Sequence, residues 1–163
     1  MDRTIHCHLP TAADTERVGA ALARALTGGL VITLAGDLGA GKTTLVRGLL
    51  RELGWTGPVK SPSYSLVEYY PFSSLYLYHF DFYRFADPSE WETAGLADCF
   101  RDDSVCLVEW PERIAALLPP PDVALVLEHL PARAGRRLLV RSSSAKGERC
   151  VAAIARLMLP VAS

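Results

Sequence analysis

Between the compact apolar run Leu30–Ala35 and the amphipathic stretch Thr43–Leu53 lies GDLGAGKTT, in which Gly36-Asp37-Leu38-Gly39-Ala40-Gly41-Lys42-Thr43 matches GxxxxGK[ST] in full. A strand feeding a glycine-rich turn and then a helix is the setting that makes this pattern a phosphate-binding loop. Glycines let backbone N–H groups converge on a phosphate without obstruction by Cβ, and the helix N-terminus adds partial positive charge. Lys42 is expected to reach the β and γ phosphates of a nucleotide. The Thr43 hydroxyl is placed to ligate Mg²⁺, a hard cation that seeks oxygen donors.

The rest of the chain reads as one ordinary domain, residues 1–163, built around that loop. At this length a folded chain buries roughly 70% of the surface that its unfolded form exposes, enough for a full core without metal or disulfide staples. With 17 Lys plus Arg against 18 Asp plus Glu, the chain lacks the broad basic field of a sequence-independent nucleic-acid binder, and stable DNA binding is not expected. The first twenty residues contain no apolar leader, and no run approaches a membrane span, so a cytoplasmic protein without membrane attachment is expected. Cys7, Cys99, Cys106 and Cys150 have neither metal nor redox spacing, and His6, His8, His79 and His129 form no ligand motif. All eight are read as structural or surface residues.

The order of elements predicts an α/β, P-loop NTPase-like fold, with a central mostly parallel sheet flanked by helices and antiparallel hairpin additions. Thr4–Leu9 reads as a strand, and a helix follows, opened by a capping box of Thr11 with Asp14 and closed by Gly28-Gly29. Beyond the Thr43–Leu53 helix, Tyr64–Tyr70 and Leu75–Tyr83 read as a hairpin, Pro88–Ala94 as a short helix and Ser104–Glu109 as a buried strand. Pro111–Leu118 reads as helical. Asp122–Leu130 and Leu138–Ser142 suggest a second hairpin around a basic turn, and Glu148–Met158 supplies a last helix.

Phosphoryl transfer also needs a carboxylate near the metal, at the end of a neighbouring apolar strand. Two acids fit equally: Glu109, closing Val105-Cys106-Leu107-Val108-Glu109, and Asp81, closing Leu77-Tyr78-His79-Phe80-Asp81. Arg133, Arg136 and Arg137 on the basic turn are candidates to meet phosphate charge. Most aromatic residues crowd between Tyr64 and Phe85, a pattern that suits core packing and also a partner surface.

Four ordered motifs now stand out: GDLGAGKTT at Gly36–Thr44, SPSYSLVE at Ser61–Glu68, YHFDFYR at Tyr78–Arg84 and CLVEWPER at Cys106–Arg113. Together they resemble the bacterial TsaE (YjeE) ATPases, which act in making threonylcarbamoyladenosine in tRNA. The resemblance implies a Mg²⁺-dependent ATPase working with the TsaB–TsaD pair on adenosine 37 of tRNAs reading codons that begin with adenine. It implies hydrolysis that resets the pair between cycles; the near-zero net charge and the lack of an aromatic-and-basic platform lead to the expectation that tRNA is held mainly by the partners. Lys42, Asp81 and Glu109 would then be catalytic, with Thr43 and Glu109 on the metal and Asp81 orienting or activating the attacking water. ATP would meet Thr11, Thr15, Asp37, Leu38, Gly39, Ala40, Gly41, Lys42, Thr43, Thr44 and Arg136. Ser61, Ser63, Tyr64 and Trp110 would form a switch or partner contact.

ATP is favoured over GTP because the chain contains no Asn and so has no NKxD guanine reader. A nucleotide-gated binding module with incidental hydrolysis shares all these residues. A small-molecule kinase would need an acceptor site, and no acceptor motif is visible.

Overall fold

Leu30–Ala35 is buried nearly throughout, as suits a central strand with hydrogen-bonded neighbours on both edges. A computed structural model describes residues 2–131 and 134–158. In chain order the elements are β1 (Arg3–Leu9), α1 (Ala12–Arg24), β2 (Leu30–Ala35), α2 (Lys42–Glu52), β3 (Val67–Pro71), β4 (Tyr76–Asp81) and α3 (Glu90–Thr93). β5 (Ser104–Glu109), β6 (Val123–His129), β7 (Arg136–Ser142) and α4 (Ala145–Met158) follow. Short 3-10 turns occupy Leu96–Cys99 and Pro111–Ile114. Among the described residues no helix is long and apolar enough to cross a membrane.

The strands form a seven-stranded sheet in the order β1-β7-β6-β2-β5-β4-β3. β2 runs parallel to β5 and β6, and β4 parallel to β5; the pairs β1–β7, β6–β7 and β3–β4 are antiparallel. This is the expected mixed α/β architecture with a parallel centre. The register carries the functional consequence: Leu34 of β2 and Asp81 of β4 both lie opposite Glu109 of β5. Both strand-end acids therefore arrive beside the exit of the strand that feeds the phosphate loop.

The helix carrying that loop is braced by α1. Val18 and Leu22 of α1 and Leu45 and Leu49 of α2 are wholly buried between the helices and the sheet. The backbones approach so closely that a Cβ on Gly19 would stand 2.1 Å from the Leu45 carbonyl oxygen, and one on Gly48 would stand 2.2 Å from that of Glu16. α1 itself opens with the capping box read from sequence: Asp14 N–H donates to Thr11 Oγ1 at 3.3 Å and Thr11 N–H donates to Asp14 Oδ2 at 2.9 Å.

Several boundaries differ from the sequence reading. The first hairpin strand begins at Val67 rather than Tyr64, because Ser63–Ser65 form a turn closed by Leu66 N–H on the Pro62 carbonyl at 2.9 Å. Its partner ends at Asp81, whose side chain turns the chain by accepting Tyr83 N–H at 2.9 Å. The helix expected over Pro88–Ala94 is a single turn, Glu90–Thr93, and the one expected over Pro111–Leu118 is the 3-10 turn Pro111–Ile114. α4 starts earlier, since Ser144 Oγ accepts Gly147 N–H at 3.0 Å and donates to Asp122 at 2.7 Å, capping the helix ahead of Glu148. In the second hairpin Arg136 and Arg137 lie on β7, not on the turn, and Arg137 pairs with Glu128 at 2.5 Å. Arg133 lies outside the described residues.

The aromatic crowding resolves by face. Phe80, Phe82 and Phe85 are buried with Trp91 in a core cluster beneath the outer strands, whereas Tyr64, Tyr69 and Tyr76 are exposed. All four cysteines are free thiols; Cys7, Cys106 and Cys150 are buried.

Candidate active site

Gly41 stands at the N-terminus of α2 with φ 106°, a conformation that favours glycine, and its bare Cα lets Arg136 lie against the loop. A Cβ there would meet Arg136 Nε at 2.8 Å. Lys42 opens the helix with its ammonium folded back beneath the loop, donating to the Gly36 carbonyl at 2.5 Å. The same ammonium sits 4.0 Å from the centroid of the Trp110 ring, a cation–π contact. Burial pushes the Lys42 pKa down, and the nearby Glu109 and Asp81 carboxylates oppose that shift. Arg136 Nε is buried and finds no hydrogen-bond partner among the described residues.

The two acids are almost entirely buried and are held differently. Asp81 accepts from Ser61 Oγ at 2.5 Å through one carboxylate oxygen and from Tyr83 N–H through the other. Ser61 thus ties the segment after α2 to the acid of β4. Glu109 Oε2 lies 2.6 Å from Nε2 of His79, which is fully buried. Immediately after Glu109 the chain turns at Trp110, whose φ of 55° is left-handed, a costly conformation for a bulky residue. The turn brings the indole over Lys42 and within 4.9 Å of Tyr83, ring centroid to ring centroid.

These groups line one cleft of about 330 Å³. Leu38, Gly39, Gly41, Lys42, Thr43 and Thr44 come from the loop and helix, Ser61 and Ser63 from the following segment, Asp81 and Glu109 from strand ends, and Trp110 and Arg136 from the walls. The remaining sequence candidates do not line it. Thr11 is engaged with Asp14 in the capping box, Thr15 is wholly buried, Asp37 is exposed with its carbonyl accepting Ala40 N–H at 3.0 Å, and Ala40 is buried. Tyr64 is 84% exposed and stacks on Arg84, 4.5 Å from ring centroid to guanidinium. A larger hollow, about 740 Å³, lies between α1 and α4, but its lining of Ala, Leu, Thr and Arg brings no acid and no glycine-rich loop.

The donor set suits Mg²⁺. The Thr43 hydroxyl shares the cleft with two carboxylates, and among the described residues no cluster of three or more His, Cys, Asp or Glu could hold a metal by itself. A cation here would complete its shell with phosphate oxygens and water, as Mg²⁺ characteristically does. His79 is the site neighbour that the sequence reading missed. Its one signal was position, two residues before Asp81 and hence on the same face of the strand.

Residues 9–138 match the family described as threonylcarbamoyl adenosine biosynthesis protein TsaE. A Haemophilus influenzae protein named tRNA threonylcarbamoyladenosine biosynthesis protein TsaE is 49% identical over 100 residues, 61% of this chain and 63% of that protein, so the match spans less than two thirds of it. A Treponema pallidum protein of the same name is 38% identical over 126 residues, covering 77% of this chain and 93% of its own length. The crystal structure of Bacillus YdiB superposes with a TM-score of 0.78 at 28% identity, covering 96% of this chain and 97% of that one.

Proposed function

The chain belongs to the TsaE family of threonylcarbamoyl adenosine biosynthesis proteins, and from that premise we propose that it binds ATP with Mg²⁺ and hydrolyses it to ADP and phosphate. The observation that carries this reading is the convergence of Lys42, Thr43, Asp81, Glu109 and Arg136 on one cleft.

In the proposed reaction Lys42 exchanges the Gly36 carbonyl and the Trp110 ring for β and γ phosphate oxygens. Arg136, with an unpartnered Nε against Gly41, adds positive charge where the transferred phosphoryl develops negative charge. Asp81, fixed by Ser61 and Tyr83, orients a water whose oxygen bonds to the γ phosphorus as the phosphorus–oxygen bond to ADP breaks. Thr43 and Glu109 would hold Mg²⁺, which when bound neutralises charge between the β and γ phosphates. Leu9 of β1 pairs with Arg136, so the start of α1 flanks this end of the cleft, which supports an adenine seat near Thr11.

Hydrolysis is proposed to serve formation of the threonylcarbamoyl group on adenosine 37 of tRNAs reading codons that begin with adenine, by resetting a TsaB–TsaD pair between cycles. Ser61, Ser63, Tyr64 and Trp110 would couple nucleotide state to that partner. The near-balanced charge supports tRNA being held by the partners rather than by this chain. Lys42 is engaged by the Gly36 carbonyl and the Trp110 ring, which supports turnover that rises on assembly.

The test is steady-state ATP hydrolysis with Mg²⁺, for the chain alone and with the TsaB–TsaD pair, with Lys42→Ala as the blank. The expected result is a partner-dependent rise that Lys42→Ala abolishes. Repeated modification cycles sustained by a nonhydrolysable analogue would instead assign the chain to nucleotide-gated binding.

A further inference from the structure

His79 is fully buried beneath the cleft and has no part in the function just proposed. It lies on β4 two residues before Asp81, and the register sets it opposite Leu107 as Asp81 is set opposite Glu109. All four side chains therefore leave the sheet on one face, and the imidazole reaches diagonally to Glu109, Nε2 to Oε2, at 2.6 Å. The other ring nitrogen, Nδ1, is buried and has no hydrogen-bond partner among the described residues. A buried N–H without an acceptor is the costlier orphan, so the favoured tautomer carries its proton on Nε2 and leaves Nδ1 bare. His79 then donates to Glu109.

We propose that His79 is a positioning residue that clamps Oε2 of Glu109, leaving Oε1 as the carboxylate oxygen available to a divalent cation in the cleft. The inference rests on the reading of Glu109 as a Mg²⁺ ligand and adds to it a reason for the single-oxygen geometry that small octahedral Mg²⁺ accepts. Outer residues that hold a ligand in this way are worth on the order of ten- to a hundredfold in metal affinity.

The experiment is calorimetric titration of Mg²⁺ into the complex with ADP, beside ADP affinity in EDTA, for wild type, His79→Leu, His79→Gln, Glu109→Gln and the His79→Leu/Glu109→Gln pair. For His79→Leu the expected result is ADP affinity in EDTA within about twofold of wild type, with Mg²⁺ binding weakened on the order of tenfold or more. Glutamine, which offers an amide N–H near the position of Nε2, should recover most of the loss, and His79→Leu should add nothing once Glu109 is Gln. Wild-type Mg²⁺ affinity in His79→Leu, equal weakness of the Gln and Leu variants, or an undiminished His79→Leu effect in the Glu109→Gln background overturns the clamp. Wild-type Mg²⁺ affinity in Glu109→Gln sinks the ligand assignment itself, a distinct outcome. If His79→Leu does not fold, ¹⁵N spectra of the wild-type ring decide: a proton on Nε2 supports the clamp and a proton on Nδ1 overturns it.

Discussion

The Lys42 ammonium lies 4.0 Å from the centre of the Trp110 ring. Two residues distant in sequence thus share one spot, and the indole is the group that a phosphate must displace or reorient around. Nucleotide binding should therefore change tryptophan emission through Trp110 and not through Trp91, which is buried among aromatic side chains, or Trp55, which packs edge-on against Tyr70. Fluorescence titration with ADP should give a saturable change in wild type and in Trp55→Phe, and none in Trp110→Phe. A full-size response in Trp110→Phe would place the reporter elsewhere.

Ser61 donates to Asp81 at 2.5 Å, joining the segment after α2 to the acid proposed to orient water. Hydrogen bonds to charged groups contribute about 1.5–3 kcal/mol, so Ser61→Ala should lower kcat for ATP hydrolysis roughly ten- to a hundredfold. Nucleotide affinity should change far less. Thr at position 61 keeps the hydroxyl and should retain most of the rate; a Ser61→Thr enzyme as slow as Ser61→Ala would refute the hydrogen bond as the cause.

Much of this arrangement is legible in the chain because it is local. LVITLA followed by GDLGAGKTT defines strand, loop and helix within fifteen residues, and the acids Asp81 and Glu109 announce themselves as polar ends of apolar runs. Tyr64 misleads, since its β-propensity points to a strand while the turn after Pro62 keeps it outside the sheet. Arg136 is misplaced on a turn because strand pairing with His129 and Leu9 extends β7 by two residues, and pairing is a non-local fact. His79 is invisible as a partner of Glu109 for the same reason: only the parallel register of β4 and β5 brings together residues thirty positions apart.

Gly48 leaves no room for a side chain, because the Glu16 carbonyl oxygen stands 2.2 Å from where its Cβ would be. Gly48→Ala adds one methyl group at a helix contact made by backbone, which cannot swing aside as a side chain can. Overpacking of this kind costs about 1–3 kcal/mol, and at roughly 2–4 °C per kcal/mol for a chain of this size the unfolding midpoint should fall measurably. An unchanged midpoint in calorimetry would mean that the helices separate freely.

Burial pushes the Cys106 thiol up to about 12 and the Cys150 thiol up to about 11 from an ordinary value of 9.0. A folded-state pKa above the unfolded one means that the fold favours the protonated thiol. The associated stability is fully present below pH 9 and is lost as pH rises through 11 to 12. At pH 8.5, brief iodoacetamide treatment followed by mass spectrometry should leave both residues unmodified in the native protein and label them after denaturation. Native labelling of Cys106 at a rate near that of Cys99 would contradict the burial.

The sheet order also fixes when this site can come into being. β2 carries the phosphate loop, yet its two neighbours, β5 and β6, are made long after it, and Arg136 follows later still. As the chain leaves the ribosome, one edge of β2 waits for Val105–Glu109 of β5 and the other for Val123–Val126 of β6. The loop has its full motif early, and Asp81, Glu109 with Trp110, and Arg136 join it one after another in chain order. A chain cut before β5 carries the signature of a nucleotide site without its chemistry, and leaves both edges of β2 unpaired.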